Sequence, residues 1–161
     1  MNTKNIETDC LIIGAGPVGL FSVFELGLLD IKCNVIDILD KPGGQCAELY
    51  PEKPIYDIPS RVSITGQQLT DDLLAQAKPF KPVYHLNQQV EKIVKMESNE
   101  WLVETSLNNK IRAKCIVIAA GAGSFVPRRI PLKNLDHIEE KNILYAVRNK
   151  SILEGKNILI A

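Results

Sequence analysis

A glycine-rich turn between a buried strand and a helix constrains this chain more than any other feature. The opening reads Cys10-Leu11-Ile12-Ile13-Gly14-Ala15-Gly16-Pro17-Val18-Gly19. The unbroken apolar run before Gly14 suits a strand covered on both faces. Gly14 permits a tight turn, Gly16 lets the backbone approach a pyrophosphate, and Gly19 lets the helix pack closely on the strand. Phosphates would rest on the helix N-terminus, where free N–H groups and the macrodipole favour negative charge. Pro17 suits the first helical position, where its missing N–H costs nothing. Val18, Phe21, Phe24, Leu28 and Leu29 recur at helical spacing and predict the face that packs on the sheet. A second buried strand, Cys33-Asn34-Val35-Ile36, ends in Asp37, which lies 18 positions after Gly19. That is close to the roughly 20-residue spacing of a ribose-binding carboxylate. Its oxygens suit ribose 2′- and 3′-hydroxyls and repel a 2′-phosphate, so this site is expected to take FAD or NAD(H) and not NADPH.

At 161 residues the chain has room for one domain, on a prior of about 100–200 residues per domain. Basic and acidic residues balance at 19 each, which gives no electrostatic case for binding nucleic acid or a membrane surface. No apolar run reaches the roughly 20 residues needed to span a bilayer, and the start lacks a signal-peptide pattern. A cytoplasmic location is therefore expected. The cysteines are Cys10, Cys33, Cys46 and Cys115, with no C-x-x-C pair. Cys10, Cys33 and Cys115 fall in or beside apolar strand segments and read as small hydrophobes. Cys46 follows Gln45 in a loop and is the one that could lie near a cofactor, but it has no partner for a redox disulfide. His85 and His137 form no metal cluster with neighbouring ligands and read as structural or surface residues.

From Leu39 to Val62 the sequence is rich in Pro, Gly, Tyr and charge, and Pro42, Pro51, Pro54 and Pro59 argue against a regular helix or a central strand. A loop of that length inside a domain is more often functional than idle. Thr65-Gly66-Gln67-Gln68 predicts a capping box, opening a helix with Leu69, Leu73 and Ala77 on one face that stops before Pro79. Short strands are expected at Val83–His85, Gln89–Lys95, Trp101–Thr105 and Ile111–Ala113, forming an antiparallel meander with a turn at Asn108-Asn109. Cys115-Ile116-Val117-Ile118-Ala119-Ala120-Gly121 reads as a short buried strand entering a glycine turn. The basic pair Arg128-Arg129 reads as a solvated surface. Lys156-Asn157-Ile158-Leu159-Ile160-Ala161 again carries a buried-strand pattern and looks like the start of another domain.

The glycine turn, Asp37 and above all Gly43-Gly44-Gln45-Cys46-Ala47-Glu48-Leu49-Tyr50-Pro51-Glu52-Lys53-Pro54-Ile55-Tyr56-Asp57-Ile58-Pro59 resemble one group of flavoproteins. These are the thioredoxin-reductase-like ferredoxin–NADP reductases, within the wider two-dinucleotide-domain flavoprotein family. Thioredoxin reductases share the glycine turn and Gly-Gly-Gln but differ in the residues after Gln45. The resemblance runs from about Thr8 to the end of the chain. It implies an α/β, three-layer Rossmann-like FAD-binding domain with a parallel sheet and a small antiparallel β-meander, incomplete at its C-terminus. Residues 1–130 would be the N-terminal part of the FAD domain, 131–155 a connecting segment, and 156–161 the first strand of an NADPH-binding domain whose remainder is missing.

In that family NADPH passes hydride to FAD, and electrons go on to ferredoxin. Carried over by motif, Gly14, Gly16, Pro17 and Gly19 would form the FAD phosphate turn and Asp37 would hold the adenosine ribose. Gln45 would contact the flavin and Tyr50 would stack on it. Val90 would meet the adenine through its backbone, and Phe125 would line the cofactor near Ala119-Ala120-Gly121, where the wider family often has Thr in place of Ala120. The expected function is the FAD-binding portion of an NADPH–FAD–ferredoxin electron-transfer enzyme. Ferredoxin or a similar carrier is the expected partner, and a homodimer is compatible with the resemblance. Two alternatives stand beside it: a non-catalytic FAD or nucleotide-binding module, and a thioredoxin-reductase-like enzyme, which the missing C-x-x-C disfavours.

Overall fold

The computed structural model describes residues 4–124, 130–131, 134–135, 137–138, 141–147 and 149–160. The apolar opening run belongs to a longer strand, β1 (Asn5–Ile13), which leads through the glycine turn into helix α1 (Pro17–Gly27) and strand β2 (Cys33–Ile36). A short helix α2 (Gly44–Glu48) and a two-strand ribbon of β3 (Pro54–Ile55) and β4 (Ile64–Thr65) follow, then helix α3 (Gly66–Ala77). Strands β5 (Val83–His85), β6 (Val90–Lys95), β7 (Trp101–Thr105) and β8 (Lys110–Ile118) complete a six-stranded sheet of order β5-β2-β1-β8-β7-β6. The β5-β2-β1-β8 half is parallel, and β8-β7-β6 is antiparallel.

Three layers result. Against one face of the parallel strands pack α1 and α3, in a core of Cys10, Ile12, Val23, Cys33, Val35 and Ala77. On the other side Val103 and Ile111 of the meander close over Leu11 and Ile36. A smaller cluster of Cys46, Ile64 and Leu69, joined by Tyr50 and Ile55, fixes α2 and the ribbon to α3. The Thr65 capping box is present: Thr65 Oγ1 accepts from the Gln68 amide at 3.2 Å, and Gln68 Oε1 accepts from the Thr65 amide at 3.1 Å. The turn at Asn108-Asn109 is present too, with Asn108 at φ +59° and its amide on the Thr105 carbonyl.

Several expectations are corrected. The buried face of α1 is Gly19, Leu20, Val23 and Gly27, while Val18, Phe21, Leu28 and Leu29 are exposed. Glycines allow the closest approach: a Cβ at Gly27 would overlap the Phe80 ring, and one at Gly19 the Gly14 carbonyl. The prolines between Leu39 and Val62 bracket α2 without forbidding it, because five residues fit between Pro42 and Pro51. Strand β5 is no part of the meander; it pairs in parallel with β2. The segments Ile111–Ala113 and Cys115–Ile118 are one strand, β8, paired with β7 only through Lys110–Ala113 and with β1 along its length. Beyond Ala113 β8 lacks its second neighbour among the described residues, so Cys115 and Ile118 are exposed although their apolar run predicts a buried strand. Ile158, Leu159 and Ile160 are exposed with no strand assigned to them, and Ala161 lies outside the described residues.

Candidate functional site

The carboxyl ends of β1, β2 and β8 converge on a cavity of about 540 Å³. Ligands of open α/β sheets bind at that end of the strands, and the volume is in the range of cofactor pockets, roughly 300–1,000 Å³. Gly14, Gly16, Pro17 and Val18 form one wall, and the segment from Ala119 to Ser124 forms another. Gly14 sits at φ +105°, with its amide on the Ile36 carbonyl at 2.8 Å, and a Cβ there would strike the Ala119 carbonyl. The Ala119 amide in turn donates to the Ile13 carbonyl at 2.8 Å. The turn is thus wedged between β2 and the end of β8.

Gly16 is the N-cap of α1 and has no capping side chain. A Cβ built on it would meet nothing nearer than the Gly44 Cα at 3.9 Å. The bareness therefore serves the cavity and the uncapped first turn, whose N–H groups are free to meet an anion. Gly19 does not line the cavity; it acts by letting α1 lie against the turn.

Asp37 follows directly on β2 and lines the cavity. Its Oδ2 accepts from the Ala15 amide at 2.6 Å and its Oδ1 from the Leu39 amide at 2.9 Å. An ionised carboxylate has about four acceptor sites, so two backbone bonds leave capacity for ligand hydroxyls. Ala15 is the middle residue of the glycine turn, and the carboxylate is locked to it.

The opposite end is built by α2. The Gly43 amide donates to the Ala15 carbonyl at 2.8 Å, and a Cβ on Gly44 would come within 2.9 Å of the Gly16 Cα. Gly43 and Gly44 both have positive φ, at 125° and 56°. Gln45, on the first turn of α2, lines the cavity and faces the Gly121 turn. Tyr50 is half-buried in the lining, with its hydroxyl 3.9 Å from Cys46 Sγ and the Lys53 ammonium 5.8 Å from its ring centre. Burial, and then the hydrogen bond with Cys46, raise the Tyr50 hydroxyl above the ordinary tyrosine range. Val90, the first residue of β6, lines the cavity and also packs on the meander core. Phe125, Arg128 and Arg129 lie outside the described residues.

The structure thus brings Gly14, Gly16, Pro17, Asp37, Gln45, Tyr50 and Val90 to one cavity. It adds Glu48 and Gln88, which sequence reasoning missed. Glu48 is three residues after Gln45, a helical spacing that could have placed both on one side. Gln88 is buried, its Oε1 accepting from Thr105 Oγ1 at 3.1 Å and Asn109 Nδ2 at 2.8 Å. No local pattern announces it, because both partners come from the distant meander.

No family model matches the chain. It is 53% identical over 161 residues to a ferredoxin–NADP reductase of Parvibaculum lavamentivorans, spanning all of this chain and 47% of that protein. To a ferredoxin–NADP reductase of a Bradyrhizobium species it is 56% identical over 158 residues, 98% of this chain and 46% of the relative. Its curated homologues are ferredoxin–NADP reductases. A third, from a Wolbachia species, is 51% identical over 156 residues, 97% of this chain and 46% of the relative. The chain therefore spans about half the length of the reductases it matches. Among solved structures it resembles thioredoxin reductase from Streptococcus pyogenes, with a TM-score of 0.63 at 23% identity, covering 80% of this chain and 39% of that one. Cyclohexanone monooxygenase from Rhodococcus sp. Phi1 gives a TM-score of 0.61 at 22% identity, over 80% of this chain and 28% of that one. These likenesses carry the fold alone, an α/β Rossmann-like architecture.

Proposed function

We propose that this chain is the FAD-binding portion of a flavoprotein reductase that moves electrons from NADPH through FAD to ferredoxin or a similar small carrier. The observation that carries the reading is the 2.6 Å bond from the Ala15 amide to Asp37. It ties a ribose-type carboxylate to a phosphate-type glycine turn at one end of a cavity whose other end holds Gln45 and Tyr50. The residues fit FAD. Gly16 leaves open space at an uncapped helix N-terminus for the pyrophosphate. Asp37 keeps acceptor capacity for ribose hydroxyls, and a negative group there disfavours a 2′-phosphate.

A bound FAD supplies the conversion of a two-electron hydride into single-electron transfers. In this reading the chain's own residues bind and orient. Gly14, Gly16, Pro17 and Gly19 would shape the phosphate turn, Asp37 would hold the ribose, Gln45 would contact the flavin and Tyr50 would stack on it. Val90 would meet the adenine through its backbone, and Phe125, outside the described residues, is given to the cofactor by the resemblance alone. Residues 1–130 form the FAD unit, 131–155 connect, and 156–161 begin an NADPH-binding unit. No described helix is long and apolar enough to cross a membrane, and we place the protein in the cytoplasm.

Titration of the 161-residue chain with FAD tests this, followed by flavin fluorescence and the visible spectrum. Saturable quenching with a shifted flavin band is expected. Asp37→Ala should weaken it at least tenfold, about 1.4 kcal/mol. A folded chain that leaves the flavin signal unchanged at saturating FAD would overturn the reading.

A further inference from the structure

Three of the cysteines, far apart in sequence, stand in one row across the parallel half of the sheet. Cys10 of β1 is in register with Cys33 of β2 on one side and with Cys115 of β8 on the other. All three are free thiols. The row runs from the interior to the surface: Cys33 and Cys10 are 6% and 0% exposed, while Cys115 is open to solvent. They share the helix-covered face, since Cys10 and Cys33 belong to one core cluster and Val117, two residues beyond Cys115, packs against it. The Cys115 thiol leans toward β1, with Sγ 3.5 Å from the Asp9 carbonyl. The Cys33 thiol lies 3.5 Å from the Ile31 carbonyl and also interacts with the Cys10 thiol. A straight row is not a chelate, and no group of three such ligands among the described residues could hold a metal ion.

We propose that Cys115 and Cys10 are a peroxide-reactive pair that closes to an intramolecular disulfide. Neighbouring strands lie about 4.8 Å apart, inside the roughly 4.4–6.8 Å between Cα atoms that a disulfide spans. Cys115 is the entry point because, among the described residues, it is the one exposed member of the row. Its sulfur attacks one oxygen of hydrogen peroxide, the O–O bond breaks, and a sulfenic acid and one water form. The Cys10 thiol then attacks the Cys115 sulfur; the S–O bond breaks, the S–S bond forms, and a second water leaves with the Cys10 proton. Two thiols are oxidised and one peroxide is reduced to two waters. Burial, then the contacts with Cys10 and Asp9, push the Cys115 thiol up to about 11. The interaction with Cys33, and then burial, push the Cys10 thiol up further still, so both attacks are slow at neutral pH, since the thiolate is the nucleophile. Cys33, buried at 6% exposure, is a far poorer target for peroxide than Cys115.

The full 161-residue chain, native and then treated with hydrogen peroxide, provides the test. Trypsin cleavage after Lys32 and Lys114 puts the three cysteines in separate peptides, so a non-reducing map reads the pairing directly. Free thiols should fall from four to two, with a Cys10–Cys115 cross-link that dithiothreitol reverses. Cys33→Ser should keep the cross-link, and Cys115→Ser, at an exposed position, should lose it while its circular dichroism stays unchanged. A stable sulfinic acid on Cys115 without a cross-link would overturn the proposal. So would a Cys10–Cys33 link, a bond between two chains through Cys115, or four surviving thiols.

Discussion

At Gly14 a Cβ would run into the Ala119 carbonyl, whereas at Gly16 the nearest heavy atom is 3.9 Å away. Gly14 also holds φ at +105° and Gly16 does not leave the ordinary region. Two glycines of one turn therefore answer to different demands. Gly14→Ala should cost about 2 kcal/mol or more in stability, read as a lower urea midpoint. Gly16→Ala should leave the midpoint nearly unchanged and weaken FAD binding at least tenfold, because its methyl group would occupy ligand space. A second residue-scale consequence concerns His85. Asn34 Nδ2 lies 3.0 Å from its Nε2, an arrangement in which the neutral ring accepts. Burial, and then the charge of Lys4, hold the His85 pKa below 6.5. The folded state thus binds fewer protons than the unfolded one as pH falls below 6.5. Its contribution to stability should be complete above 6.5 and fade as pH drops through the lower folded value. Urea melts between pH 7 and 5 should show that loss, and His85→Gln should flatten it.

Among the elements, the ones set by neighbouring residues are legible in the sequence and the ones set by distant partners are not. The Gly14–Gly19 turn, Asp37 at the end of β2 and the Thr65 capping box are local chemistry, and each appears where expected. Thr65→Ala should remove the cap of α3 and cost about 1 kcal/mol, seen as a drop of roughly 2–4 °C in Tm. The face of α1 is different, because hydrophobic size points to Phe21 and Leu28. What decides the contact is how close Gly19 and Gly27 can come to Gly14 and Phe80. In β8, Lys114 falls between the two expected segments, and Arg112 lies inside the first of them. Both charges are satisfied at the surface, Lys114 by Asp9 at 2.7 Å and Arg112 by Glu7 at 3.4 Å, so the strand continues through them. Of the site, Gln88 is illegible for the same reason: the meander holds it.

For the molecule as a whole, one cavity is assembled from segments spread between Ile13 and Ser124, and they reach it through two separate cores on either side of the sheet. The segments meet most tightly where backbone touches backbone. Gly43 is bonded to Ala15, and Gly44 rests against Gly16 so that a Cβ on Gly44, though not one on Gly16, would be crowded out. If the cavity holds FAD as proposed, its nucleotide end and its ring end would be the two arms of a clasp joined through bare backbone. Filling one arm should still the other. An adenine nucleotide without any flavin, such as ADP, should slow amide hydrogen exchange across 43–50 as well as across 14–19. Protection confined to 14–19 would mean that the hinge does not transmit. On the proposed reading, a scaffold of this kind would feel its ligand before the reactive ring arrives, and ordering of Tyr50 and Gln45 would begin at the far end, with the phosphates.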